Sequence, residues 1–139
     1  MYKKILLAAD GSENSLRAAE EAVKVASLDK QCVIEIVYIV NFTKSRSEVL
    51  HAQGKEELEL SRRKKLESVE KLLKSHEHSY RINIMHGEPG PTIVEYANKE
   101  QFDLVVIGSR GLNSLQEMVL GSVSHKVVKR ANCPVLIVK

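Results

Sequence analysis

Long apolar runs are missing from this chain of 139 residues. The longest, CVIEIVYIV, is broken by Glu35, and no stretch approaches the roughly 18 uncharged residues of a membrane-spanning helix, so no membrane association is expected. The opening MYKKILLAAD has two lysines, as a signal peptide would. Its apolar run stops at Asp10, short of the roughly 7 to 15 residues that such a segment needs, and it reads as a strand. Charge of one sign is missing as well: 21 basic side chains stand against 18 acidic ones, a formal net charge of +3. No strong field draws the whole molecule to nucleic acid or to an anionic membrane. Cysteine is scarce, with Cys32 in an apolar run and Cys133 just before a proline. These are expected to be buried thiols of a reduced, cytoplasmic protein rather than a disulfide framework. Pro-rich and low-complexity segments are absent, so nothing reads as a linker, and a single domain spanning 1–139 is expected.

What is present alternates between two hydrophobic periods. KKILLAA (3–9), VIEIVYIV (33–40), DLVVIG (103–108) and PVLIVK (134–139) are short runs of branched residues, the pattern of strands buried on both faces. SYRINIM (79–85) alternates instead, with Tyr80, Ile82 and Ile84 on one side, and belongs at a sheet edge. Between them lie helical patterns. Residues 12–28 carry Leu16, Ala19, Val23 and Ala26 on one face, with Ser12 as N-cap. From about 47 to 76 runs a charged helix with a Leu58, Leu66, Val69, Leu73 stripe and a capping box at Ser45-Arg46-Ser47-Glu48. Its basic run, Arg62-Arg63-Lys64-Lys65, is flanked by Glu56, Glu57, Glu59, Glu67 and Glu70. It reads as an ion-paired face, with a binding patch as the alternative. Pro91 suits the first position of a helix carrying Ile93, Val94 and Ala97, and a last helix runs from Ser122 to about Ala131 with Val123, Val127 and Val128.

The resulting β-α-β-α-β-α-β-α-β order predicts an α/β fold: an open, doubly wound, five-stranded parallel sheet with helices on both faces. Ligands of such sheets sit outside the carboxyl ends of the strands. The loops to search are therefore Asp10-Gly11-Ser12, the chain after Val40, His86 to Pro91, and GSRGLNSLQEMVLGS (108–122).

In that last stretch, Gly108 and Gly111 would let the chain turn with positive φ and approach a ligand closely. Gly121 and Ser122 open a helix, whose N–H groups and dipole suit an anion, and Ser122 and Ser124 add hydroxyls. Together these residues predict a phosphate cradle, although turns without a ligand account for the spacing too. Neither GxxxxGK[ST] nor GxGxxG is present.

The pattern G-x2-G-x9-G-[S/T], carried by Gly108, Gly111, Gly121 and Ser122, resembles that of the nucleotide-binding branch of the universal stress protein family. ILLAADGSENSLRAAEEAV, DLVVIGSRG and VLGSVSHKVVKRANCPVLIVK look like the family's opening and closing segments. The resemblance is weakest from about 42 to 78. It implies a Rossmann-like sheet of strand order 3-2-1-4-5 and an ATP site. Asp10 would lie near the nucleoside, Ile39 would pack the adenine, and Gly108, Arg110, Gly111, Gly121, Ser122, Val123 and Ser124 would contact ribose and phosphates. Ala8 stands where some members have proline and gives that wall less surface. Mg²⁺ would enter with the ATP, with Asp10 as a candidate contact through the phosphates. A carboxylate such as Asp10 also serves simply to cap a turn, and an exposed arginine such as Arg110 is often only solvated.

Catalysis would need a positioned base and carboxylates that hold Mg²⁺, and no second acid is evident near the glycine loop, so slow or negligible hydrolysis is expected. His76 and His78 suit the carbonyl end of a helix dipole. His51 and His86 have no companions at zinc spacing, and His125, one turn into the last helix and close to the expected phosphates, reads as a solvated residue or a local cap, with a chemical role as the alternative. Receiver, PP-loop and KH readings lack their residues: an acidic pair, a Ser-Gly-Gly turn, and a GxxG between two helices. The remaining rival is an interaction module whose glycines only turn the chain. In either case 134–139, terminal in the family's order, would expose an apolar edge and predicts a homodimer. The polar segment 41–53 is a lid or a plain surface loop.

Overall fold

Among the described residues, branched apolar segments separated by helical ones give nine elements. In chain order they are β1 (Lys4–Ala8), α1 (Glu13–Ala26), β2 (Val33–Val40), α2 (Lys55–Ser75), β3 (Tyr80–His86), α3 (Pro89–Lys99), β4 (Leu104–Gly108), α4 (Ser122–Arg130) and β5 (Val135–Val138). The structure, a computed structural model, describes residues 2–41, 55–110 and 121–139, apart from the side chains of 55–59, 61 and 62. The capping box at Ser45-Arg46-Ser47-Glu48, most of the 41–53 loop with His51, the Leu58 side chain and Gly111 lie outside the described residues.

The five strands form one sheet in the order β3-β2-β1-β4-β5, and every pairing is parallel. Parallel neighbours need crossovers, and the helices supply them on both faces. On one face Ile5, Leu7, Ile34, Ile36 and Val106 pack with Ala18, Ala22, Leu66, Val69 and Leu73 of α1 and α2. On the other, Leu6, Val37, Val105 and Ile107 pack with Ile93, Ala97 and Val127 of α3 and α4. Consecutive residues of β1 thus feed opposite layers, which is why its run is apolar throughout. Each fully buried leucine or isoleucine here contributes about 2 kcal/mol.

Ser12 caps α1, its Oγ accepting the Ser15 N–H at 3.1 Å. The edge strand β3 keeps Tyr80, Ile82 and Ile84 half-buried and Arg81 exposed, but Asn83 and Met85 on the other side are half-buried too. The expected alternation therefore holds only at Arg81, because the second layer reaches over that face at Met85. On the charged helix, Arg63 pairs with Glu70 at 3.4 Å and Lys71 with Glu67 at 3.2 Å.

Further local expectations are corrected. α3 begins at Pro89, and Pro91 is its third residue; neither position needs an N–H inside a first turn. Val128 is 48% exposed, because the buried residues of α4 are Ser124 and Val127. β5 is half-buried along its length, since a terminal strand has a neighbour on one side only. Cys32 is buried as expected, whereas Cys133, next to the half-buried terminal strand, is only half-buried; neither is in a disulfide, and desolvation pushes both thiols up from their ordinary value. Among the described residues, no helix is long and apolar enough to cross a membrane.

Candidate functional site

β1 has β2 on one side and β4 on the other, so chain connections leave it in opposite directions and open a crevice at the carboxyl ends. A cleft of about 560 Å³ lies there. It is lined by the ends of β1, β2 and β4, by the starts of α3 and α4, and by Lys65 of α2. The volume falls within the roughly 300–1,000 Å³ of small-molecule sites. Of the residues singled out in the sequence, Ala8, Asp10, Ile39, Gly108, Arg110, Gly121, Ser122, Val123 and Ser124 all line this cleft. His125 is exposed and stands outside the lining.

The turn from β1 into α1 forms one wall. Gly11 has φ +86, a conformation costly for a residue with a Cβ. Asp10 Oδ1 accepts the Ser12 N–H at 2.9 Å, so the turn-capping role open to Asp10 is present while the residue lines the cleft. The Ser15 hydroxyl donates to the Ser12 carbonyl at 2.9 Å, closing the junction further.

The described ends of the passage from β4 to α4 line the cleft as well, and there Gly108 and Gly121 do not act through positive φ. Among the described glycines only Gly11 and Gly87 have it. A Cβ at Gly108 would stand 2.9 Å from Asn14 Cβ and 3.2 Å from the Asn14 carbonyl oxygen. A Cβ at Gly121 would stand 3.1 Å from the Ser109 carbonyl oxygen, which accepts the Gly121 N–H at 2.8 Å. Both glycines therefore permit close approach of chain to chain. The Ser124 hydroxyl is likewise redirected: buried, it donates to the Gly108 carbonyl at 2.6 Å and straps α4 to the end of β4. It is not aimed into the cleft as a donor. Gly121, the N-cap of α4, provides no side-chain cap, and the first turn holds no acid. The N–H groups of a helix start with no cap keep their affinity for an anion.

Apolar surface from Ala8, Val37 and Ile39 meets this polar wall. Several further residues that the family resemblance does not assign to the site line the cleft. Lys65 reaches in from α2, its Nζ donating to the Tyr38 hydroxyl at 3.3 Å and lying 6.0 Å from the ring centroid. Glu88, at the start of α3, is a second cleft carboxylate where Asp10 alone was expected. Lys126 lies beside Gly90 of α3. A helical repeat would have found Lys126, four residues after Ser122 and on the same face. The basic run 62–65 marks Lys65 only as part of an ion-paired face or a binding patch, and tertiary packing is what brings it to the cleft.

Compared with known proteins, the chain matches the model of the universal stress protein family over residues 1–139. It is 36% identical to universal stress protein MJ0531 of Methanocaldococcus jannaschii, a match covering 100% of this chain and 83% of that protein. Its structure resembles that of MJ0577 from the same organism with a TM-score of 0.84, at 31% identity and over 100% and 96% of the two chains. The universal stress protein of Archaeoglobus fulgidus, solved in complex with dAMP, shares the fold at a TM-score of 0.74 and 21% identity, over 99% and 98% of the two chains.

Proposed function

The chain belongs to the universal stress protein family, and from that premise we propose that it binds ATP, with Mg²⁺, in the cleft at the carboxyl end of the sheet. In this reading it is a cytoplasmic, nucleotide-responsive regulatory dimer that hydrolyses ATP slowly or not at all. The observation that carries the reading is that one cleft joins apolar surface to an uncapped helix start. Ala8, Val37 and Ile39 offer apolar surface to a base, and the start of α4, without a side-chain cap, lines the same cleft together with Arg110. The dAMP held by the Archaeoglobus fulgidus protein supports a nucleotide as the ligand class.

The residues have distinct tasks. Ile39 packs the base and Asp10 faces the sugar. The N–H groups of 122–124 and the Ser122 hydroxyl take phosphate oxygens, with Arg110 adding charge. Gly111 belongs to the same assignment. Bound Mg²⁺ would neutralise phosphate charge. Among the described residues no group of three or more His, Cys, Asp or Glu could hold a metal ion, so the ion would enter with the nucleotide and meet Asp10 through it. Turnover on the order of 1 s⁻¹, an ordinary kinase rate, that disappeared in Gly121→Val would sink the slow-hydrolysis part.

The dimer follows from β5. It is terminal in the sheet, its residues Val135–Val138 are apolar, and pairing with a second copy about a two-fold axis removes an edge prone to aggregation. Light scattering at micromolar concentration is expected to give twice the chain mass; a monomer would rule the dimer out.

One observation favours a second reading, an interaction module that binds no nucleotide. The contacts of Gly108 with Asn14 and of Gly121 with Ser109 already account for both glycines. Calorimetric titration of Mg-ATP into nucleotide-free protein separates the two. We expect saturable binding that Gly121→Val weakens at least about tenfold, the scale of a lost charged hydrogen bond, while unfolding stays cooperative. Absence of binding by the wild-type chain would leave the interaction module.

A further inference from the structure

Three helices begin at the cleft, and they offer an anion different things. At α1 the first-turn donor of Ser15 is taken by Ser12 Oγ at 3.1 Å. At α3, which like α4 has no side-chain cap and no acid in its first turn, two of the first three residues, Pro89 and Pro91, have no N–H, and Glu88 at the N-cap brings a carboxylate. At α4 there is neither a side-chain cap nor an acid in the first turn.

Lys126 extends the array at α4. It stands on the same face as Ser122, about 6 Å farther along the axis, and it lines the cleft. Its stem lies across the start of α3: a Cβ at Gly90 would be 2.9 Å from Lys126 Cδ and 3.3 Å from Lys126 Cβ. Gly90 therefore makes room for the stem. Packing of the stem on Gly90, in a side chain that is otherwise exposed, reduces the rotamer entropy that the lysine loses on meeting an anion. No ion pair among the described residues includes Lys126.

A single phosphate at the start of α4 can be met by the helix N–H groups alone. A longer anion seated there has further charge to place, and an ammonium one turn on is positioned to take it. Resting on the reading of the cleft as a nucleotide site, we infer that Lys126 senses the length of the phosphate chain, so that the cleft favours a nucleoside triphosphate over the monophosphate. It is a specificity residue: its charge bears on the distal phosphates and not on the nucleoside.

The test is calorimetric titration of the nucleotide-free chain with ATP and with AMP, both with Mg²⁺ and at one ionic strength. Wild type is expected to prefer ATP, and Lys126→Gln to narrow the ratio of the two affinities about tenfold, as for loss of one charged hydrogen bond. Lys126→Arg should keep most of the preference. Gly90→Ala, which displaces the stem without removing a charge, should narrow the ratio by a smaller factor. Equal losses for both nucleotides in Lys126→Gln, or an unchanged ratio, would overturn the inference and leave nucleotide binding intact. A wild-type chain that binds neither nucleotide would overturn the nucleotide reading and this inference with it.

Discussion

The two strand-to-helix junctions that bound the cleft use similar residues and end in opposite states. From β1 to α1, Asp10 accepts the Ser12 N–H at 2.9 Å, Ser12 Oγ accepts the Ser15 N–H at 3.1 Å, and the Ser15 hydroxyl returns to the Ser12 carbonyl at 2.9 Å. From β4 to α4, the N-cap is Gly121, which has no side chain to offer, and Ser122 is exposed one position later. Ser124 gives its hydroxyl backward to the Gly108 carbonyl at 2.6 Å. A serine at the N-cap closes a helix start on itself; a glycine there, with serine next, leaves it open. Two junctions of like composition thus divide the work, one fixing the wall and the other presenting donors.

The largest effect should come from testing the close packing of Gly108 on Asn14, where the two junctions meet. Gly108→Val places a side chain where Asn14 already stands, 2.9 Å from its Cβ, and should cost about 3 kcal/mol in urea unfolding, the upper range of overpacking. A loss below about 1 kcal/mol would mean that α1 yields and the two junctions are not held together. Next, Ser12→Ala should cost about 1 kcal/mol through loss of the cap, read from the same unfolding curves. The smallest change in stability belongs to Ser122→Ala, under about 0.5 kcal/mol as for an exposed side chain. Its ATP affinity should nonetheless fall about threefold, a modest hydrogen bond's worth. If Ser122→Ala destabilised the chain as much as Ser12→Ala, the contrast between a closed and an open helix start would fail.

Much of the frame was legible in the sequence. The period-two run at 79–85 marked an edge strand, Ser12 marked a cap, and the continuous branched runs marked the buried strands, because each depends on neighbours along the chain. The start of α3 was misplaced by two residues because proline is tolerated throughout a helix's first turn, so Pro91 did not mark its first position. Val128 was misassigned because a period of 3.6 leaves one of two adjacent valines pointing outward, and the sequence does not say which.

The glycines teach the sharper lesson. Positive φ and close packing both call for glycine, and the sequence looks the same in either case. Gly11 has the first cause, at φ +86, whereas Gly108 has the second, against Asn14. The distinction belongs to a contact between distant parts of the chain.

By itself the sequence determined the order of strands and helices, their polarity, and the location of candidate ligand chemistry at the strand ends, because hydrophobic period and capping act over a few residues. Only the tertiary structure decided that Lys65 enters the cleft from the layer opposite α4, that Glu88 joins Asp10 there, and that the Ser124 hydroxyl turns back to Gly108. Those outcomes depend on which helix packs on which face of the sheet, a matter of contact across the chain that no local spacing encodes.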